Sequence, residues 1–299
     1  METKEKITKT RLPRYKRAKN PPPMKLTDRD KRIIEWVYLF RFLTRDQIKL
    51  LEFENASKTA CQRRLSLLYH NKYLSAIHKP THAGYGSSKR AYCLSKRGKD
   101  VISFMYDGMD PKNIKWKKKH NKVEIYFLEH TLAVNDVRVA FTISARRLGY
   151  ILEWTPEWEL KALKEKVRDP ENPGKSLAIT PDGYFFLKGD GKKASFFIEA
   201  DRATETNRRW KDKVRGYVEY AKTGQYYKRY KAESLRVLTV TTTQERLKNL
   251  LSTTKNVKGA SFFWFTTKEQ INNNNVIINP IWGRTNKKGI HKLWRKEEG

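Results

Sequence analysis

Cysteine is nearly absent. Cys61 and Cys93 are the only two in 299 residues, so no disulfide framework holds this chain, and a reduced, cytoplasmic setting is expected. No run of about 18 apolar residues occurs, which excludes a bilayer-spanning helix. The basic N-terminus has no apolar stretch behind it and so lacks the form of a secretory signal. There is no G-x-x-x-x-G-K-[ST] loop to cradle nucleotide phosphates, which leaves ATP-driven motor or loader activity without support. The six histidines do not combine with the cysteines at zinc-binding spacings, and no His-x-His pair is present. Acidic residues are also scarce: 32 Asp and Glu stand against 64 Lys and Arg, a formal charge of +32. A surplus of that size points to a polyanionic partner, nucleic acid ahead of an anionic membrane surface.

Large side chains are plentiful: aromatics make up 12% of the chain, which argues against wholesale disorder. The length suits two domains, each with its own core. The surplus charge divides as +19 over residues 1–120 and +13 over 121–299, so both halves are expected to meet nucleic acid. Residues 1–24 read as a basic disordered arm ending in the stiff spacer Pro21-Pro22-Pro23. Residues 109–121 read as a basic linker, with Lys112, Lys115, Lys117, Lys118 and Lys119 around Trp116. Between them, 25–108 form the first domain. A second runs over 122–270, and 271–299 remain as a basic, Trp-containing tail.

The first domain opens with a capping signal, Thr27 followed three residues on by Asp30. Ile33, Ile34, Trp36, Val37 and Phe40 then recur at helical spacing. Thr44-Arg45-Asp46-Gln47 starts a second helix, and a third, capped near Asn55 or Ser57, runs to about His70. Tyr73 to His78 alternates like a strand, a glycine-bearing turn spans His82 to Ser88, and Arg90 to Leu94 forms a partner strand. A closing helix follows Ser95. Three helices and then a hairpin is the order of a winged helix-turn-helix, whose third helix enters the major groove. The polar face of that helix offers Lys58, Thr59, Gln62, Arg63 and Arg64. Gln and Arg match adenine and guanine edges, and Lys suits phosphate oxygens. Lys89 and Arg90 beside the turn, with Lys117, Lys118 and Lys119, are candidates for flanking phosphates of double-stranded DNA.

In the second domain the expected order is a long helix from Val123 to Ile143, three strands, a helix, a strand, a helix and a strand. Thr180-Pro181-Asp182-Gly183 sets an acid at a bend, and Phe196-Phe197-Ile198-Glu199-Ala200-Asp201 ends an apolar strand in two acids. In an extended chain Glu199 and Asp201 share a face. This arrangement resembles the PD-(D/E)xK nuclease-like fold, with Asp182 and Glu199 as its acids. The resemblance implies that these two hold Mg²⁺ or Mn²⁺ if the site is active. The position where the fold carries its Lys is occupied by Asp201. Lys213 on the following helix is the candidate replacement, and Glu129 on the long helix is a candidate further acid.

Together the halves resemble a narrower family, the replication-relaxation proteins of bacterial plasmids and integrative elements. The resemblance rests on Leu26-Thr27-Asp28-Arg29-Asp30, Leu128-Glu129-His130-Thr131-Leu132-Ala133-Val134-Asn135-Asp136-Val137, and Pro181-Asp182. It continues through Phe197-Ile198-Glu199-Ala200-Asp201-Arg202 and Lys213-Val214-Arg215-Gly216-Tyr217-Val218-Glu219-Tyr220. It implies DNA binding linked to plasmid replication or mobilisation, with replication or relaxosome proteins as partners. The expected class is α+β followed by α/β: a winged helix, then a restriction-endonuclease-like mixed sheet. Three functions remain open at this level: a non-enzymatic accessory DNA binder, a metal-dependent endonuclease or nickase, and a transcriptional regulator.

Overall fold

The computed structural model describes residues 12–54, 56–78, 90–106, 110–232 and 234–294. The chain divides into two compact units, Met1–Asn135 and Asp136–Gly299. The division falls inside a continuous helix rather than at the lysine-rich stretch 109–121, which carries two short 3₁₀ turns in the first unit. Among the described residues no helix is long and apolar enough to cross a membrane.

In the first unit, α1 (Asp28–Phe40) begins at the anticipated capping box, Thr27 and Asp30 each closing on the other's backbone amide. β1 (Leu43–Thr44) leads into α2 (Arg45–Glu52), capped reciprocally by Thr44 and Gln47. α3 (Lys58–His70) starts at Ser57, whose hydroxyl accepts from the Ala60 amide. β2 (Leu74–His78) and β3 (Arg90–Leu94) pair antiparallel, and β1 adds to the other edge of β3. The expected turn at 82–88 lies outside the described residues. α4 (Lys96–Met105) closes back on α1. Its Gly98 is required by a close approach: a Cβ there would sit 2.3 Å from the Tyr73 carbonyl oxygen.

α5 (Ile125–Leu148) is the long helix foreseen from Val123 to Ile143. Within the first unit its Leu128 and Leu132 pack on Phe42, Ala91 and Cys93, and Asn135 donates to the carbonyls of Phe40 and Phe42 (3.0 and 2.6 Å). Residues 12–24 contain no helix or strand but are seated on this unit, contrary to a free arm. Arg17 donates to the Tyr69 and Leu74 carbonyls (2.9 and 3.0 Å), and the Ala18 amide donates to His70 Nδ1 (3.0 Å).

The second unit is built on a seven-stranded mixed sheet. In chain order come β4 (Ile151–Pro156), α6 (Glu157–Ala162), the ribbon β5 (Lys166–Asp169) and β6 (Asn172–Ala178), then β7 (Gly183–Gly189) and β8 (Lys192–Ala200). α7 (Asn207–Lys222) and α8 (Gln225–Tyr230) precede β9 (Val237–Thr241), and α9 (Gln244–Lys255) precedes β10 (Phe263–Thr267). α10 (Lys268–Asn273), β11 (Trp282–Arg284) and β12 (Ile290–His291) follow. The sheet order is β12-β11-β10-β9-β8-β7-β4; β8, β9 and β10 run parallel and the other pairs antiparallel. Parallel neighbours need crossover helices, which α7 and α9 supply. Because helices cover both faces, the parallel strands read as near-continuous buried runs. One core face gathers Phe196, Ile198, Leu238 and Trp264 with Phe141 of α5; the other gathers Phe197, Val237 and Phe263 with Trp210 and Tyr217 of α7.

Thr180-Pro181-Asp182 separates β6 from β7, and β6 pairs with β5 outside the main sheet. The described part of the tail is core, not an appendage: Trp282 adds a strand, and Leu293 and Trp294 are buried beside it.

Candidate functional site

On the first unit, Lys58, Thr59 and Arg63 project from α3 exposed to solvent, as do Lys117, Lys118 and Lys119 further on. Gln62 is partly buried and accepts from Arg45 (3.3 Å). Arg64 departs from its expected role. Its guanidinium forms a two-point pair with Asp30, which is fully buried, and a further bond to the Lys25 carbonyl (2.8 Å). The side chain therefore ties α3 to the first turn of α1 instead of reaching outward. Arg90 donates to the Arg14 carbonyl and lies over the Tyr69 ring, so it holds the N-terminal segment. Lys89 lies outside the described residues.

In the second unit Asp182 and Glu199 are brought together by strand pairing. The Asp182 amide donates to the Ile198 carbonyl (3.0 Å), and its Oδ2 accepts from the Ala200 amide (2.8 Å). The bend before β7 is held open by Gly183, where a Cβ would meet the Trp154 indole at 2.5 Å. Glu199, 1% exposed, points toward α7 on the same face as Phe197. There Lys213 Nζ lies 2.8 Å from its Oε2, and the Tyr217 hydroxyl donates to its Oε1. Lys213 and Tyr217 are four residues apart, one turn of the same helix face. Lys213 also lies 3.4 Å from Glu205.

Burial raises the Glu199 carboxyl, to about 7; Lys213 opposes the shift, Asp182 adds to it, and the Tyr217 hydrogen bond again favours the carboxylate. Burial alone would lower the Lys213 ammonium, but Glu199, Asp182 and Glu205 hold it above its ordinary range, so it is a cation. Burial first, then Glu199, raises the Tyr217 phenol, so it stays a donor. The result is a cation seated against a pair of carboxylates that feel each other's charge. Two buried carboxylates offer hard oxygen donors of the kind Mg²⁺ and Mn²⁺ select. By donor type, the Asp182 and Glu199 carboxylates suit such an ion.

Asp201 does not join them. β8 ends at Ala200, so strict alternation stops one residue too early. Both Asp201 oxygens are taken by Arg246 of α9 (3.0 Å each), and Thr241 donates to one of them (2.7 Å). Its role is to anchor α9 to the end of the sheet. Glu129 falls on the part of α5 that belongs to the first unit. Glu205 is a participant the sequence did not single out. Tyr217 reads as part of an apolar helical stripe, which it is, and its hydroxyl becomes significant only once Glu199 lies beneath it.

A family model described as replication-relaxation matches residues 34–235. No curated protein matches the chain. Among solved structures, one similar chain is the restriction endonuclease FokI, 11% identical, with 83% of this chain and 45% of that one covered. The present chain thus spans less than half the length of that enzyme. The TM-score is 0.29.

Proposed function

The chain belongs to the replication-relaxation family, and from that premise we propose that it binds duplex DNA through its first unit and cuts or nicks a strand, with a divalent metal, at the Asp182–Glu199–Lys213 cluster of its second. The mobile-element setting, plasmid replication or mobilisation, is part of this proposal. Support for the first half is the element order α1-β1-α2-α3-β2-β3-α4 with the small antiparallel sheet β1-β3-β2. That order supports reading the unit as a winged helix-turn-helix, in which α3, with Lys58, Thr59 and Arg63, would face the groove.

The observation that carries the second half is the approach of Lys213 Nζ to Glu199 at 2.8 Å, with Asp182 close enough to influence both. Lys213 restores, from α7, the cation that Asp201 displaces from the strand. Asp182 and Glu199 would hold the metal, which would supply polarisation of a phosphoryl oxygen and a more acidic bound water. Lys213 offsets negative charge developing on the phosphoryl group. Tyr217 fixes the Glu199 rotamer from the far side, and burial under α7 keeps bulk water from screening these charges.

Supercoiled plasmid incubated with Mg²⁺ or Mn²⁺ tests this reading. Wild type is expected to convert it to open circles, with Asp182→Ala, Glu199→Ala and Lys213→Ala each at least ~10²-fold slower and still able to bind DNA. Cutting that survives all three substitutions, or no cutting by wild type in either metal, overturns it. A binding-only accessory role is the second reading. It is favoured by Glu199 already accepting from both Lys213 and Tyr217, and it predicts DNA binding without nicking.

A further inference from the structure

At the end of the sheet where β9 and β10 begin lies a cavity of about 520 Å³. Its chemistry is one-sided. Arg236, Arg284, Lys287 and Lys292 line it, with the Ser261 hydroxyl and the Trp264 ring, and no carboxylate is found among its described lining residues. Arg284 stands directly across from Trp264 in the β10–β11 pair, its guanidinium 4.4 Å from that ring. Arg236 lies over Phe196 at 5.5 Å. Among the described residues neither guanidinium has an ion pair, and the buried Nε of Arg284 has no hydrogen-bond partner. Burial and then the charge of Arg284 hold Arg236 below its ordinary range, and burial does the same to Arg284. Two like charges kept together in a partly buried cavity, without a counter-charge among the described residues, are a cost to the fold that an anion would relieve.

We propose that this cavity is a phosphate-binding pocket, taking the phosphate group of a nucleotide or of a DNA strand end. Guanidinium pairs suit tetrahedral oxyanions through forked donors, and the volume is that of a small-ligand site. The pocket is distinct from the carboxylate cluster. Arg236 follows the parity of Leu238 and packs on Phe196, on one face of the sheet, whereas Glu199 follows the parity of Phe197 on the other. It therefore stands whether or not the carboxylates cleave DNA, and its test needs no cleavage.

The experiment is equilibrium binding to the full chain, without divalent metal and at constant ionic strength. The probes are inorganic phosphate, a mononucleotide, and a short labelled single strand carrying either a 5′-phosphate or a 5′-hydroxyl. The phosphorylated strand is expected to bind about tenfold tighter than its hydroxyl twin, and Arg284→Gln is expected to erase the difference. Tighter binding of the phosphorylated strand than of the mononucleotide identifies a strand end as the source; equal binding identifies the free nucleotide. Without ligand, Arg284→Gln should melt no lower than wild type, because the charge removed repels Arg236. If that variant does not fold, Lys287→Ala with Lys292→Ala, both exposed, should still weaken the 5′-phosphate preference several-fold. Equal affinity for 5′-phosphate and 5′-hydroxyl strands, or a preference untouched by these substitutions, overturns the proposal.

Discussion

Arg63 and Arg64 are sequence neighbours on α3 with opposite fates, because a helix turns about 100° per residue. Arg63 faces solvent, while Arg64 reaches the buried Asp30 carboxylate. Removing one partner of such a pair strands a charge in the interior. Arg64→Ala should therefore cost about 3 kcal/mol of first-unit stability, read from denaturant melts, whereas Arg63→Ala should leave stability unchanged and weaken DNA binding. If the two behave alike in both assays, the assignment of roles fails. The pair also sets an acid limit. Although burial alone would raise it, the Asp30 carboxyl is held below its ordinary 3.8 by bonds from Arg64 and Thr27. A group with a depressed folded pKa contributes stability that is present above its unfolded value and lost as pH falls through the folded one. Melting temperatures should thus drop as pH falls below about 4, and Asp30→Asn should flatten that drop.

Elements meet here through small residues and caps. α4 approaches β2 so closely that Gly98 has the Tyr73 carbonyl where a Cβ would be. That neighbour is backbone and cannot swing aside. Gly98→Ala should cost about 1–3 kcal/mol despite the better helix propensity of alanine, and an unchanged melting curve would show that α4 can shift. α7 works differently. Its apolar stripe of Trp210, Val214 and Tyr217 fixes the rotation of the helix on the sheet, and that rotation is what carries Lys213 to Glu199.

At the scale of the whole molecule, the excess of 64 basic over 32 acidic side chains is spread over both units. Counterion release makes affinity for DNA fall steeply with salt. For about 6–10 phosphate contacts it should drop ~10³–10⁵-fold between roughly 50 and 200 mM salt, measured on plasmid-length duplex. A flat response would remove the polyanion argument altogether. The two units should be separable in their contributions: Lys117, Lys118 and Lys119 to Ala lowers affinity for every sequence alike, because phosphate contacts carry no base information.

The helices with strong caps, at Thr27 and Thr44, were legible in the sequence because a capping box is a local interaction between residues three apart. So were the apolar parallel strands and the pair Asp182 and Glu199. The edge strands β11 and β12, the β5–β6 ribbon and the burial of Trp282 and Trp294 were not, since short strands are defined by partners distant in the chain. The sequence by itself determined the charge and placed Asp182 and Glu199 at the ends of neighbouring strands. Only the tertiary structure decided which charges are paired. It turned Arg64 and Asp201 inward to Asp30 and Arg246, brought Lys213 to Glu199 across fourteen residues of chain, and left Arg236 and Arg284 facing one cavity. An ion pair depends on where two elements meet in space, and no local pattern encodes that distance.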